Sequence, residues 1–451
     1  MNNEKPWWKE PTRQQWAAFS AAWVGWVLDA FDFMVYVLVM RQLAAEFGVG
    51  LAAVSGSITL TLLVRLAGGA IAGWMADRWG RKLPLILALV WFVSFDAAIY
   101  FSHSFTAILI FRTLFGFGMG AQWTAGTALA MESMPERTRK IGSGLLQAGW
   151  PIGVMLAAGA AYFIVDAHTW RPMFLVGIIP AALTIPLWFM FPSTKPAPKA
   201  LGAKNESPLR ALASPGVPKM LVLGSLVMTL GFIVYYGLQS QYPAMLQGEL
   251  HLSSQSAFLH VILFNAGMLF GVIAAGFVAQ RFGVIAALVA PALLMVPALP
   301  LYVGFVPVAL PIGAFLGGAL GVGYSGVTPV LTTSLFPAHV RALAIGLVYH
   351  VGAFFAAFVP WLIPQIATHF HLKLSTVLMI VVGTGLIAMS TAVLLLRKMI
   401  TIPAEEPKPT GFDVDTAPVE TPNFRPAPLP VAHTVADREV AKAAERRAIL
   451  G

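Results

Sequence analysis

The sequence predicts an all-α membrane protein with twelve transmembrane helices in two six-helix pseudo-repeat bundles. Three observations predict it. Of its 451 residues 58% are hydrophobic and 11% charged, with a mean hydropathy of +0.76, where soluble domains carry about 25% charged residues. The apolar residues fall in runs of the roughly 20 residues that a helix needs to cross a bilayer. Two sequence patterns from the first half return in the second at nearly one offset.

Composition also excludes functions. The net charge of +9 needs no nucleic-acid partner, because the Lys and Arg residues sit in the joints between apolar runs, as the positive-inside rule places them. With no cysteine there is no disulfide and no thiol chemistry. The polar N-terminal segment lacks a signal-peptide pattern, so the first helix is expected to serve as an uncleaved insertion signal. No phosphate loop, metal-ligand cluster or nucleophile–base set occurs, so an enzyme, an ATP-driven pump, a metal site and a bound cofactor are not expected.

In chain order, residues 1–15 form a polar N-terminal segment. The first bundle, residues 16–192, holds spans at 16–40, 52–76, 83–101, 105–131, 141–165 and 172–191. A Pro- and Ala-rich basic linker covers 193–217. The second bundle, residues 218–398, holds spans at 219–243, 257–280, 284–305, 309–335, 342–367 and 375–396. Residues 399–451 read as a disordered tail, with eight prolines between 403 and 430 and little apolar periodicity. Arg78, Arg81 and Lys82, Arg137, Arg139 and Lys140, then the linker, Arg281, Arg341 and Arg397 lie on one side. The other side keeps Arg41, Arg171 and Lys373. Both termini are therefore expected in the cytoplasm, with the protein multi-pass in the cytoplasmic (inner) membrane.

The repeat is explicit. Gly73, Ala76, Arg78 and Gly80 return as Gly276, Ala279, Arg281 and Gly283, 203 residues on. Pro135, Arg139, Gly144 and Leu145 return as Pro337, Arg341, Gly346 and Leu347, 202 on. A duplicated bundle places its cavity at the midplane between halves that rock about it.

Charges inside the spans mark the candidate site. Asp29 and Asp32, at i and i+3 on one face of the first span, sit near mid-depth. Arg65 lies about 20 Å down the second span by helix rise. Arg at a helix centre costs at least about 2.5 kcal/mol on insertion scales, so intramembrane ionisable groups read as functional. Arg65 is expected to take a substrate carboxylate with its planar fork, held ready by Asp32 or Asp29, which take the proton. A purely structural ion pair is the competing reading. Arg112, some 10 Å below the outer surface, is grouped with the gate, with Asp96 as its possible partner; snorkelling to the interface is the alternative. Gln122, Trp123, Gln147, Gln239, Tyr349 and His350 complete the expected substrate site, although such polar groups more often bond helix to helix. Gly73, Asp77, Arg78, Gly80 and Arg81 form a charge–glycine cluster able to hold one conformation closed and break in another.

That loop, Gly73-Trp-Met-Ala-Asp77-Arg78-Trp-Gly80-Arg81-Lys82, resembles the signature of the major facilitator superfamily. Within it the chain resembles the sialate- and lactate-type (organic acid) proton symporters. The local features are Gly25 to Phe33, Thr59 to Gly69 and Gly118 to Pro135. The chain departs from their pattern at Gln122, where Glu is usual, and at Ser240, where Asp is expected. The spacing Arg112-x-x-x-Gly116-x-Gly118-x-Gly120 resembles the superfamily's proton-transfer motif. The resemblance implies a monomer that imports a small organic anion with protons by alternating access, with the lipid bilayer its remaining partner. A proton-coupled antiporter exporting drugs or sugar derivatives is the alternative. A transporter-shaped receptor signalling through its tail is a third.

Overall fold

Hydrocarbon offers no hydrogen bonds, so a spanning segment must satisfy its own backbone, which a helix does. The computed structural model describes residues 6–164, 170–191 and 208–397, and they are helical apart from their turns. Among the described residues eleven helices are long and apolar enough to cross a membrane. The spans in order are α1 (Arg13–Phe47), α2 (Leu51–Trp79), α3 (Lys82–Tyr100), α4 (Phe105–Ser133) and α5 (Glu136–Ala161). Next comes α6, two short helices, Met173–Val176 and Ile178–Met190, broken at Gly177 and outside the eleven. Then follow α7 (Val217–Gly248), α8 (Ser254–Phe282), α9 (Val284–Tyr302), α10 (Pro307–Ser334), α11 (Arg341–His369) and α12 (Leu374–Arg397). The linker is described from Pro208 onward. The tail, 399–451, lies outside the described residues.

Among the described residues five spans depart from the expected continuous helices: α5 is interrupted at Ala148, α7 at Gln241 and α11 at Ala357–Phe358, and α6 and α10 break as well. α6 breaks at Gly177. α10 runs as Leu310–Ala319, a 3-10 turn Gly323–Val327, and Thr328–Ser334. Non-helical backbone at membrane depth is tolerated where it lines a cavity. Val322, Tyr324, Ser325 and Thr328 do line one. α1 reaches Phe47, two turns beyond the expected end at 40.

Local sequence sets the helix ends. Thr12 and Gln15 close a capping box at the start of α1: Gln15 N–H donates to Thr12 Oγ1 and Thr12 N–H to Gln15 Oε1, satisfying two orphan donors. α2 and α8 end on Gly80 and Gly283, with φ of +96° and +90°, a region only glycine adopts without strain. These glycines stand 203 residues apart, so the repeat read in sequence is also a repeat of backbone turns.

Each half packs on itself: α2 on α4 and α1 on α5, then α8 on α10 and α7 on α11. The halves meet along two seams, α2 with α11 and α5 with α8, which the repeat interchanges. Glycine lets both close. A Cβ on Gly73 would lie 2.5 Å from Leu343 Cα, and one on Gly144 2.5 Å from Val272 O. Both contacts lie toward the face that carries the Gly73–Lys82 loop, called here the loop face.

Candidate functional site

A cavity of about 940 Å³ opens between the halves. Its lining reaches from mid-span residues such as Trp26, Gln147 and Met228 to the helix ends remote from the loop face, among them residues of α1 up to Met40, of α2 from Gly56, of α7 up to Gln247 and of α11 from Ala357 to Trp361. The loop face is closed. Asp77 Oδ1 and Oδ2 accept from Ala342 N–H at 3.1 Å and Leu343 N–H at 2.8 Å, the first turn of α11, whose helix dipole favours a carboxylate. Arg81 lies 3.1 Å from Asp77 and 2.8 Å from Glu132, and Arg341 of the other half reaches Glu132 at 3.7 Å. Burial pushes the Arg81 guanidinium down, but Glu132 and Asp77 outweigh it and hold its pKa above the ordinary arginine value. The positive-φ turn at Gly80 (φ 96°, ψ 163°) is what folds Arg81 back to donate to Ala76 O at 2.7 Å. Arg78 is absent from this latch. It is exposed and lies over the rings of Trp74 and Trp79, because one helical position turns it out of the seam.

Of the described lining residues Arg65 alone is charged. It is 3% exposed. Its position follows from glycine packing in α4: a Cβ on Gly120 would lie 2.0 Å from Arg65 O, so α2 is held hard against α4 there. Arg65 Nη2 stands 3.5 Å from Asp29 Oδ2. Arg65 Nε and Nη2 have no hydrogen-bond partner among the described residues. Trp26 and Tyr349 flank the guanidinium at 5.9 and 5.4 Å from their ring centroids, a cation–π arrangement. Tyr349 is stacked on Trp123 at 3.4 Å. Further rings wall the cavity: Trp150, 4.9 Å from Trp26, and Phe232, 4.9 Å from Tyr349.

A second buried charge set lies apart from the lining residues. Arg112 Nη1 donates to Asp96 Oδ1 at 2.9 Å, with the guanidinium over Tyr36 and Phe115. Arg112 is fully buried, so it neither snorkels nor sits in the loop-face latch. Rings and the Asp96 carboxylate surround it in place of either the gate it was grouped with or the interface of the snorkelling alternative. Asp32 is buried too, close to the break in α6: a Cβ on Gly177 would meet Asp32 Oδ1 at 2.4 Å. The two first-span acids therefore divide, Asp29 pairing with Arg65 and Asp32 standing away from it.

Among the other expected residues, Gln147, Gln239 and Tyr349 line the cavity. Gln122, Trp123 and His350 do not. Gln122 packs where Gly25 lacks a side chain. Trp123 lies beneath Tyr349. His350 Nε2 stands 3.1 Å from Gly120 O and 3.3 Å from Thr124 Oγ1, joining α11 to α4. Each faces a helix neighbour, the commoner fate of a polar group in a bundle. Residues that sequence reasoning passed over also line the cavity: Trp26, Phe33, Trp150, Tyr235, Tyr236, Tyr324 and Ser325. The aromatic run Phe232 to Tyr236 was the available signal. Trp150 Nε1 donates to Tyr235 Oη at 2.9 Å, a polar tie between halves.

Known proteins resemble this chain over most of its length. Residues 22–261 match the Major Facilitator Superfamily. The chain is 29% identical to a probable 4-methylmuconolactone transporter of Cupriavidus pinatubonensis, over 77% of this chain and 82% of that protein. It is 28% identical to the cis,cis-muconate transport protein of Acinetobacter baylyi, over 80% and 90%, and 26% identical to the sialic acid transporter NanX of Escherichia coli, over 84% and 94%. Among solved structures, the proton:xylose symporter XylE superposes with a TM-score of 0.71 at 18% identity, covering 86% of this chain and 96% of that one.

Proposed function

Since the chain belongs to the major facilitator superfamily, we propose that it is a secondary transporter that imports a small organic anion together with protons. The observation that carries this is Arg65, a buried cation paired only loosely with Asp29, whose Nε and Nη2 make no hydrogen bond among the described residues and which alone is charged among the described lining residues. Names of relatives, for 4-methylmuconolactone, cis,cis-muconate and sialic acid, support a small organic acid. The volume suits one such molecule, as ligand pockets run about 300–1,000 Å³. A single cation suits one carboxylate. Ring walls favour a flat apolar body behind it.

The loop face is cytoplasmic in this reading, since it carries the basic joints, and the cavity faces outward. An external proton on Asp29 breaks its pairing with Arg65 and frees the guanidinium for the incoming carboxylate. Asp32 is the second proton-carrying group. Proton and anion then cross as a neutralised pair, which avoids moving bare charge through hydrocarbon, and each favours binding of the other. A cationic drug leaving by this cavity would meet Arg65 as a like charge, which counts against the exporter alternative.

The test is the external pH of lightly buffered, de-energised cells expressing the protein, on addition of a panel of mono- and dicarboxylic acids. Alkalinisation with a monocarboxylate, lost in Arg65→Ala, is expected. No alkalinisation with any acid, or an undiminished signal in Arg65→Ala, would sink the reading.

A further inference from the structure

The two seams between the halves are not closed alike. At the α2–α11 seam the latch is the buried Asp77–Arg81–Glu132 cluster. The repeat carries Asp77 onto Gln280 and Arg81 onto Val284, so the α5–α8 seam has lost both charges. What lies over it instead is the segment before α1. Residues Trp7–Lys9 form a 3-10 turn that packs on the start of α5. Trp7 meets Phe277 of α8 edge-on at 5.8 Å. Glu10 Oε2 stands 3.8 Å from Arg137 Nε of α5. Glu10, Glu136, Arg137, Lys140 and Gln280 together line one small surface hollow across the seam. The turn is itself tied down, since Trp16 Nε1 donates to Trp8 O at 3.3 Å.

We propose that Pro6–Glu10 is a strap that stands in for the missing charge latch and holds the α5–α8 seam shut at the loop face. Its aromatic ring grips the second half while its acid grips the first. The halves cannot part at that seam without lifting Trp7 from Phe277 or Glu10 from Arg137. A carboxylate from outside the repeat, Glu10, lines the hollow in which the repeat puts Gln280 in place of Asp77. The strap is therefore a conformational bias: it favours the state closed at the loop face, and its release belongs to the opening step. The proposal rests on the reading that this face is the closed gate.

The chain has no cysteine, so a single introduced thiol reports access without background. Ile141 is 4% exposed and lies in the α5–α8 seam, its Cα 3.1 Å from where a Cβ on Gly276 would be. The experiment is the rate of maleimide labelling of Ile141→Cys in inside-out vesicles, alone, with Trp7→Ala and Glu10→Gln together, with Phe277→Ala, and with Asp77→Asn. The strap predicts a rise of about three- to tenfold in both strap variants, the size expected from one aromatic contact and one surface ion pair. Asp77→Asn, which weakens the other seam, must also raise it. A wild-type rate in both strap variants beside a raised rate in Asp77→Asn overturns the strap. A wild-type rate in all of them overturns the closed-gate reading, and the strap with it.

Discussion

An arginine at mid-depth persists because a carboxylate and two rings replace part of its water, and Arg65 has Asp29, Trp26 and Tyr349 for this. Its fork also sets a prediction. Arg65→Lys keeps the charge but loses the paired donors; a charged hydrogen bond is worth about 1.5–3 kcal/mol, so half-saturation in uptake should rise about tenfold or more. Asp29→Asn removes the carboxylate beside the guanidinium, which in the proposed mechanism competes with substrate for it. Uptake by this variant should lose its dependence on external pH while exchange of labelled for unlabelled substrate persists. Pure exchange needs the anion site alone, so a variant dead in exchange as well would remove Asp29 from proton coupling. At the second charge set, Arg112→Ala leaves Asp96 buried without a cation. Removing one partner of a buried pair costs about 3–5 kcal/mol, which a lowered Tm in detergent should show. The mid-span acids and arginines were legible because charge in an apolar run has few structural excuses. Which acid serves Arg65 was not, because Asp29 and Asp32 share a helix face and what tells them apart is the Gly177 break beside Asp32, distant in sequence.

At the level of elements, glycine in the seams decides what can close. A Cβ on Gly73 would lie 2.5 Å from Leu343 Cα and 2.9 Å from Ala342 O, both backbone atoms, so Gly73→Leu cannot be accommodated with the loop face shut. The variant should therefore rest open at that face, seen as faster labelling of a cysteine at Ile141 and slower uptake from outside. Normal uptake in Gly73→Leu would mean that the two helices can part at Gly73 without opening the loop face, against the seam's role as a gate. The spans themselves were readable from length and apolarity. The break in α6 was not, and in α10 only Pro329, in the first turn after the unwound stretch, signals a kink in sequence. A gap of a few residues in hydrogen bonding leaves no trace in hydropathy, and α10 unwinds because the cavity, made jointly with the other half, supplies what lipid would not. The placement of Gln122 and His350 behind the wall was hidden for a related reason. The spans are apolar on every side, so sequence shows no inward face, and the register of α4 on α11 fixes what each side chain meets.

Across the whole molecule the repeat reaches further than the two motifs that disclosed it. Glu46 at the end of α1 accepts from Trp170 Nε1 at 2.6 Å and pairs with Arg171, just before α6. Glu249, 203 residues on, accepts from Ser375 N–H at 2.9 Å in the first turn of α12. Both acids lie on the face away from the loop, and each ties the first and last spans of its own half. The loop-face latch through Asp77 joins different halves instead. Rocking requires these two kinds of contact to be separable: ties within a half keep it rigid, and ties between halves make and break. Glu249→Gln weakens the ionised acceptor at a helix start, a cap-like contact worth about 1 kcal/mol. It should lower Tm by a few degrees and leave maleimide access at the loop face unchanged. Asp77→Asn should do the reverse, changing access with a smaller effect on Tm. If Glu249→Gln altered access as strongly as Asp77→Asn, the halves would not be moving as rigid bodies.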